Sequence, residues 1–233
     1  MNTLRIRYKL FLANTAFNTC LLALTVSLLA SCSGYKTIES SSIANDNWTL
    51  IKAQKDNDRS FEILARKLEG TNLYEYKIEG HIKSSSEACL SSFKSEIQKL
   101  ANGAEPKKYP IYKIIYHSKD SLLTYVVHNE PFPLRDTEMS VRYIDYTGKN
   151  GQKGVMWTEA WGEDVPQPTK KLNRIDTFRG SWSFTPTENN STYAINTVQF
   201  DPKRMPRWLV EPMVTKFLKK ELEVIRQESL RQY

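Results

Sequence analysis

Pro206-Arg207-Trp208-Leu209-Val210-Glu211-Pro212-Met213-Val214-Thr215-Lys216-Phe217-Leu218-Lys219-Lys220-Glu221-Leu222-Glu223-Val224-Ile225 is the stretch that decides the fold. Val210, Met213, Val214, Phe217, Leu218, Leu222 and Ile225 recur every three or four residues, a spacing that only a helix gathers onto one stripe. Pro206 suits the first turn, where a missing N–H costs nothing, and Lys216, Lys219, Lys220 and Glu223 fall on the polar side. An apolar stripe this long needs a broad apolar partner. Upstream lie six successive segments with period-two patterning, centred on Tyr112, Ile114 and Tyr116; Leu123, Tyr125 and Val127; Met139, Val141 and Tyr143; Val155 and Trp157; Phe178, Trp182 and Phe184; and Tyr193, Ile195 and Thr197. Short connections between such segments predict an antiparallel, strongly curved sheet. The expected class is therefore α+β, a curved antiparallel sheet wrapped around a long C-terminal helix.

Further outward, Ser84-Ser85-Ser86-Glu87 caps a predicted amphipathic helix carrying Ala88, Leu90, Phe93, Ile97 and Leu100, which Asn102-Gly103 ends. Strands are predicted over 61–67 and 74–82, joined by the turn Glu69-Gly70-Thr71-Asn72. Asp46-Asn47-Trp48 reads as a capped helical stretch pinned by its tryptophan. Residues 33–45, rich in serine and other small polar residues, read as a tether, with the domain spanning 46–233.

At the N-terminus, Arg5, Arg7 and Lys9 precede an apolar run ending Leu21-Leu22-Ala23-Leu24-Thr25-Val26-Ser27-Leu28-Leu29-Ala30. That is the architecture of a secretory signal. Leu29-Ala30-Ser31-Cys32 resembles the lipobox of bacterial lipoproteins, which implies removal of residues 1–31 and acylation of Cys32 as the new N-terminus. Two or more chains on that cysteine suffice for stable anchoring. Ser33 in the next position implies sorting to the outer membrane, facing the periplasm. With Cys20 removed and Cys32 acylated, Cys89 is the only thiol left in the domain; it lies in an apolar-patterned segment and is expected to be buried and inert.

Composition narrows the chemistry. The first 31 residues carry three of the 33 basic residues and none of the 26 acidic ones, so the formal charge falls from +7 to +4 without them. The doublets Lys107-Lys108, Lys170-Lys171 and Lys219-Lys220 are scattered and do not form a phosphate-tracking stripe, so no nucleic acid is expected. His81, His117 and His128 occur in separate segments without metal-ligand spacing, and no nucleophile elbow, phosphate loop or dinucleotide fingerprint is present. No metal, cofactor or catalytic residue is expected, and Glu159 and Asp164 beside Trp161 read as solvated charge.

The order of elements and several short motifs resemble the START family, the steroidogenic acute regulatory protein-related lipid transfer domains with their helix-grip fold. The likeness covers residues 48–225: Trp48-Thr49-Leu50; Leu73-Tyr74-Glu75-Tyr76-Lys77-Ile78-Glu79-Gly80; Pro131-Phe132-Pro133-Leu134-Arg135-Asp136; Trp182-Ser183-Phe184-Thr185-Pro186; and Asp201-Pro202 followed by Met205-Pro206-Arg207-Trp208-Leu209. Lys203-Arg204 stand where the family commonly has two glycines, and Arg142 falls out of register with the arginine that reaches into sterol-binding members. The resemblance implies a monomer with an internal cavity for a lipid or other hydrophobic molecule. Expected liners are Leu123, Tyr125, Val127, Met139, Val141, Tyr143, Trp157, Phe178, Trp182, Phe184, Tyr193 and Ile195 from strands and Val214, Phe217 and Leu218 from the helix, with tyrosine hydroxyls holding the ligand's polar end. Arg135 and Asp136 are expected as an ion pair at the rim, and segments 162–168 and 203–206 as the mouth. An enzyme of the wider superfamily, such as a cyclase or hydrolase, and an envelope interaction protein with a filled core are the alternative functional classes.

Overall fold

The computed structural model describes residues 47–56, 59–130, 134–162, 164–166, 171–201 and 205–231. The signal segment, Cys32 and the tether lie outside the described residues. From Asn47 onward the chain forms one compact unit. Its described elements run β1 (Thr49–Gln54), β2 (Phe61–Lys67), β3 (Tyr74–Ile82), α1 (Ser86–Ala101), β4 (Ile111–His117), β5 (Ser121–His128), β6 (Thr137–Thr147), a 3-10 turn (Lys149–Gly151), β7 (Lys153–Glu159), β8 (Asn173–Arg174), β9 (Phe178–Thr187), β10 (Ser191–Phe200) and α2 (Arg207–Leu230).

One sheet holds every strand, in the order β1-β2-β3-β10-β9-β7-β6-β5-β4, with β8 beside β6. All neighbours along that path are antiparallel, and only β8 runs parallel to its partner. Local chemistry accounts for the connections. Gly70 takes φ +71° in the β2–β3 turn, and Asn189 and Asn190, with φ of 57° and 54°, close the β9–β10 hairpin. The Ala88 N–H donates to Ser85 Oγ at 3.2 Å as the N-cap of α1.

Sequence and structure part company at the start of the domain. Thr49–Gln54 is an edge strand on β2 and no helix follows Asn47. Trp48 instead lies beneath Arg66 and Lys77, with Cζ and Nζ at 4.5 and 4.9 Å from its ring centroid, so cation–π contacts hold it in place of a helix cap.

Alternation along each strand sends one side chain of every pair to the inner face, where Phe61, Ile63, Ile78, Val141, Val155, Trp157, Trp182, Phe184, Ala194 and Val198 are buried. The helices cover that face. Val210, Val214, Leu218, Leu222 and Ile225 are the buried stripe of α2, while Cys89, Leu90, Phe93 and Ile97 are that of α1. Close backbone approaches of α2 are to β3 and α1, with none of comparable closeness to β4–β7. α1 in turn approaches β4, β7 and β9, so the two helices share the inner face of the sheet and one core.

Arg226 fixes α2 to the sheet. Only 7 % exposed, it donates from Nη2 to Ser60 O at 2.6 Å and to His81 O at 3.0 Å. Gly80 makes room, since a Cβ there would sit 2.9 Å from Nη2 and 2.8 Å from Ser60 O.

Candidate ligand-binding interior

The other part of the inner face is formed by β4 to β7 and β9, and α1 approaches it at β4, β7 and β9. Antiparallel pairing sets which side chains face it: Leu122 opposes Tyr143, Thr124 opposes Val141, and Val126 opposes Met139. Tyr143 in turn opposes Trp157, and Val155 opposes Trp182. Of the expected liners, Met139, Val141, Tyr143, Trp157, Phe178, Trp182, Phe184, Val214 and Leu218 lie on this side, in one apolar cluster. They divide into two groups. Val141, Trp182, Phe184 and Leu218 are at most 1 % exposed and form solid core; burying each such side chain is worth about 1.5–3 kcal/mol. Met139, Tyr143 and Phe178 are only half-buried.

Five expected strand liners point the other way. Leu123, Tyr125 and Val127 are on the outer face, in a separate cluster with Val165, Trp161 and Leu172. There the Tyr125 hydroxyl donates to Glu138 Oε2 at 2.8 Å, so it does not hold a ligand; burial and that carboxylate push its pKa up to about 12. Tyr193 and Ile195 are also outward, alternating with the buried Thr192, Ala194 and Asn196, and Tyr193 packs its ring on His81 at 5.1 Å. Phe217 lies at the margin of the helix stripe and is 36 % exposed. The rim ion pair does not form: Arg135 is exposed, and Asp136 Oδ1 accepts the Glu130 N–H at 3.0 Å. Arg142 opposes Leu123 and faces outward. Val165 packs on the outer face with Trp161, whose Nε1–H donates to Ile175 O at 3.3 Å, so these residues do not line the interior. Lys203 and Arg204, and residues 167–168, lie outside the described residues.

The polar groups of the interior come largely from positions that the sequence reading passed over. Burial holds the Tyr112 and Tyr143 phenols well above their ordinary pKa. Glu221 flanks the buried stripe of α2, next to Leu222, and is itself partly buried. Burial, reinforced by Glu96, raises its carboxyl pKa from about 4.5 to about 7. Tyr112, Tyr143 and Glu221 are each partly buried, and Tyr143 lines a cleft beside α1. Two further groups there are buried without a partner among the described residues: the Trp157 Nε1–H and Asn196 Oδ1. A buried orphan donor or acceptor costs about 1–3 kcal/mol, which a bound polar group or water offsets.

A cleft of about 310 Å³ opens between α1 and β4–β7, lined by Phe93, Ile97, Leu122, Tyr143 and Val155. The Lys94–Asp145 ion pair crosses its rim. That volume is at the small end of the range for ligand pockets. Catalytic alternatives find less support. Glu159 is held by the Arg179 guanidinium at 2.5 and 2.9 Å, and burial pushes the Cys89 thiol up to about 11, where it is unreactive.

Glu221 also makes stability depend on pH. Between about pH 4.5 and 7 the folded chain keeps a proton that the unfolded chain releases, so stability falls as pH rises through that window and is flat on either side. Glu221→Gln should remove this slope and stabilise the protein by on the order of 2 kcal/mol at alkaline pH, measured as urea midpoints at successive pH values.

A curved antiparallel sheet of ten strands with a long C-terminal helix on its inner face is the START-type helix-grip fold. Among solved structures, the chain is similar to the STAR-related lipid transfer protein of Xanthomonas axonopodis, with a TM-score of 0.60, 18 % identity and coverage of 79 % of this chain and 99 % of that one. It is also similar to human STARD10, with a TM-score of 0.65, 16 % identity and coverage of 81 % and 75 %. The lipid transfer and protein localization domain of human StarD13 gives 0.60, 11 %, 78 % and 88 %. At these identities the likeness is one of fold. No family model and no curated protein matches the sequence.

Proposed function

We propose that this protein is a membrane-anchored lipoprotein that binds, without catalysis, a lipid or similar hydrophobic molecule between α1 and the β4–β7 half of its sheet, and transfers or sequesters it in the periplasm. The observation that supports the reading is the cleft of about 310 Å³ between α1 and β4–β7, lined by Phe93, Ile97, Leu122 and half-buried Tyr143, beside which the Trp157 Nε1–H is buried without a partner among the described residues. Apolar ligand surface entering this space gains roughly 25 cal/mol per Å². The anchor rests on Leu29-Ala30-Ser31-Cys32, and Ser33 favours the outer membrane.

Native mass spectrometry of the protein purified from its host membranes tests both parts. The intact mass should begin at Cys32 with added acyl groups, and a non-covalent lipid should leave as a separate species on activation. A mass beginning at Met1 removes the anchor. A protein that stays empty after incubation with lipid vesicles removes the carrier, and a chemically altered lipid on release makes it an enzyme.

A further inference from the structure

The cleft between α1 and β4–β7 has two chemically different parts. Its buried and half-buried lining includes the apolar Phe93, Ile97, Ile114, Leu122 and Val155, whereas its exposed lining is polar throughout, with Lys94 on α1 and His117 and Lys119 at the β4–β5 turn. The charges of the rim are unequal. Asp145 is the only carboxylate among the described residues that line the cleft, and it is taken by Lys94. The side chains of Lys119 and His117 have no hydrogen bond or ion pair among the described residues. Two lysines against one aspartate leave the mouth with a net positive charge, and its free cation lies on the β4–β5 side.

A bulge puts His117 there. In β4, Ile114 is opposite Thr124, but Tyr116 is opposite Leu123 and His117 opposite Leu122, so the register slips between Ile114 and Tyr116. Strict alternation from Ile114 would bring Tyr116 to the cleft and turn His117 away. The slip reverses this: Tyr116 is left 51 % exposed on the outer face, and the imidazole joins Lys119 at the mouth. Bulges recur where a strand re-aims a side chain at a site. An imidazole presents an N–H donor in either tautomer, and an ammonium presents three.

We propose that this cleft takes a single-chain amphiphile with an anionic head, a fatty acid or a lysophospholipid, its chain against Phe93, Leu122 and Tyr143 and its head between Lys119 and His117. The inference rests on the cleft being the ligand site of the proposed function, and it adds the charge of the head and the number of chains. A volume of about 310 Å³ is at the small end for ligand pockets and holds one acyl chain, not two. The Lys94–Asp145 pair works against the head, because its carboxylate repels an anion and withholds the Lys94 ammonium.

The test uses the full chain in a non-ionic detergent, incubated with an equimolar mixture of palmitate, palmitoyl-lysophosphatidylglycerol, monopalmitoylglycerol and dipalmitoylphosphatidylglycerol and read by native mass spectrometry. Detergent competes equally in every arm, so the ratios of adducts carry the result. Palmitate and the lysophospholipid should each exceed the two other lipids about fivefold, and the ratio between them identifies the head as carboxylate or phosphodiester. Lys119→Glu, at an exposed position without partners, should bring both anions down to the level of monopalmitoylglycerol and leave that adduct unchanged. Asp145→Asn should raise both anions several-fold, whereas a purely structural role for the ion pair would lower all four adducts together. Equal loading of monopalmitoylglycerol in the wild type, dominance of the two-chain lipid, or an unchanged ratio in Lys119→Glu overturns the inference and leaves a ligand site. Absence of all four adducts also overturns it, and a chain that further stays empty with vesicles of total host lipid removes the site as well.

Discussion

Glu138→Ala is expected to destabilise the protein by about 3 kcal/mol, enough to move its urea midpoint by a molar unit or more. Glu138 is fully buried and negatively charged on the outer face of β6. Its Oε1 accepts from Arg174 Nε at 3.0 Å and its Oε2 from the Tyr125 hydroxyl at 2.8 Å. Arg174 in turn lies 3.6 Å above the Trp161 ring and donates from Nη2 to Pro166 O at 3.1 Å. One carboxylate therefore ties the 160–175 connection to the sheet. Truncating it leaves a guanidinium with no counter-charge, a phenol with no acceptor and a hole beneath Val165. Glu138→Gln keeps an acceptor of the same shape and should cost about half as much. Limited proteolysis adds a second readout, since Glu138→Ala should be cut between 160 and 175 before it unfolds globally. Equal stability of the wild type and Glu138→Ala would mean that Arg174 and Trp161 hold the segment without it.

Gly180→Ala is expected to cost about 4 kcal/mol or more, a large effect for one methyl group. A Cβ at position 180 would lie 2.1 Å from Thr197 O and 2.5 Å from Trp157 Cζ2. The first contact is backbone of the neighbouring strand, which cannot yield without breaking the β9–β10 ladder. The second is the ring that packs at 6.2 Å from Phe93 and 6.1 Å from Phe178. Glycine here is a device of close approach: it lets an indole lie flat on the sheet. Thermal melting should register the loss, and near-ultraviolet circular dichroism should register displacement of Trp157. Met156→Ala, on the adjacent outward position that is 40 % exposed, should change stability by less than about 0.5 kcal/mol and serves as the control.

Much of the fold was legible because helix and strand periods are properties of short windows. The recurrence of Val210, Val214, Leu218, Leu222 and Ile225 specified α2, and the strands 61–67 and 74–82 fall where the alternation placed them. Trp48 misled because its partners, Arg66 and Lys77, come from other strands. The interior was only half legible, and β5 shows why. In Ser121–His128 five consecutive residues are buried, since one face meets the core and the other lies under the 160–175 connection. With both faces covered there is no alternation to read, and Leu123-Tyr125-Val127 looks as suitable as Leu122-Thr124-Val126. In β10 the small Ala194 and polar Asn196 face inward, so the larger Tyr193 and Ile195 suggested the opposite register.

The sequence by itself determined the succession of strands, the two helices and the stripe that α2 turns inward, because a repeat of two or of three to four residues dictates which side chains share a face. Only the tertiary structure decided which face of β5 and β10 turns toward the helices, and that Phe93 of α1 packs on Tyr143 and Trp157 of the sheet. Those facts depend on contacts between residues more than thirty positions apart, and no local period records them.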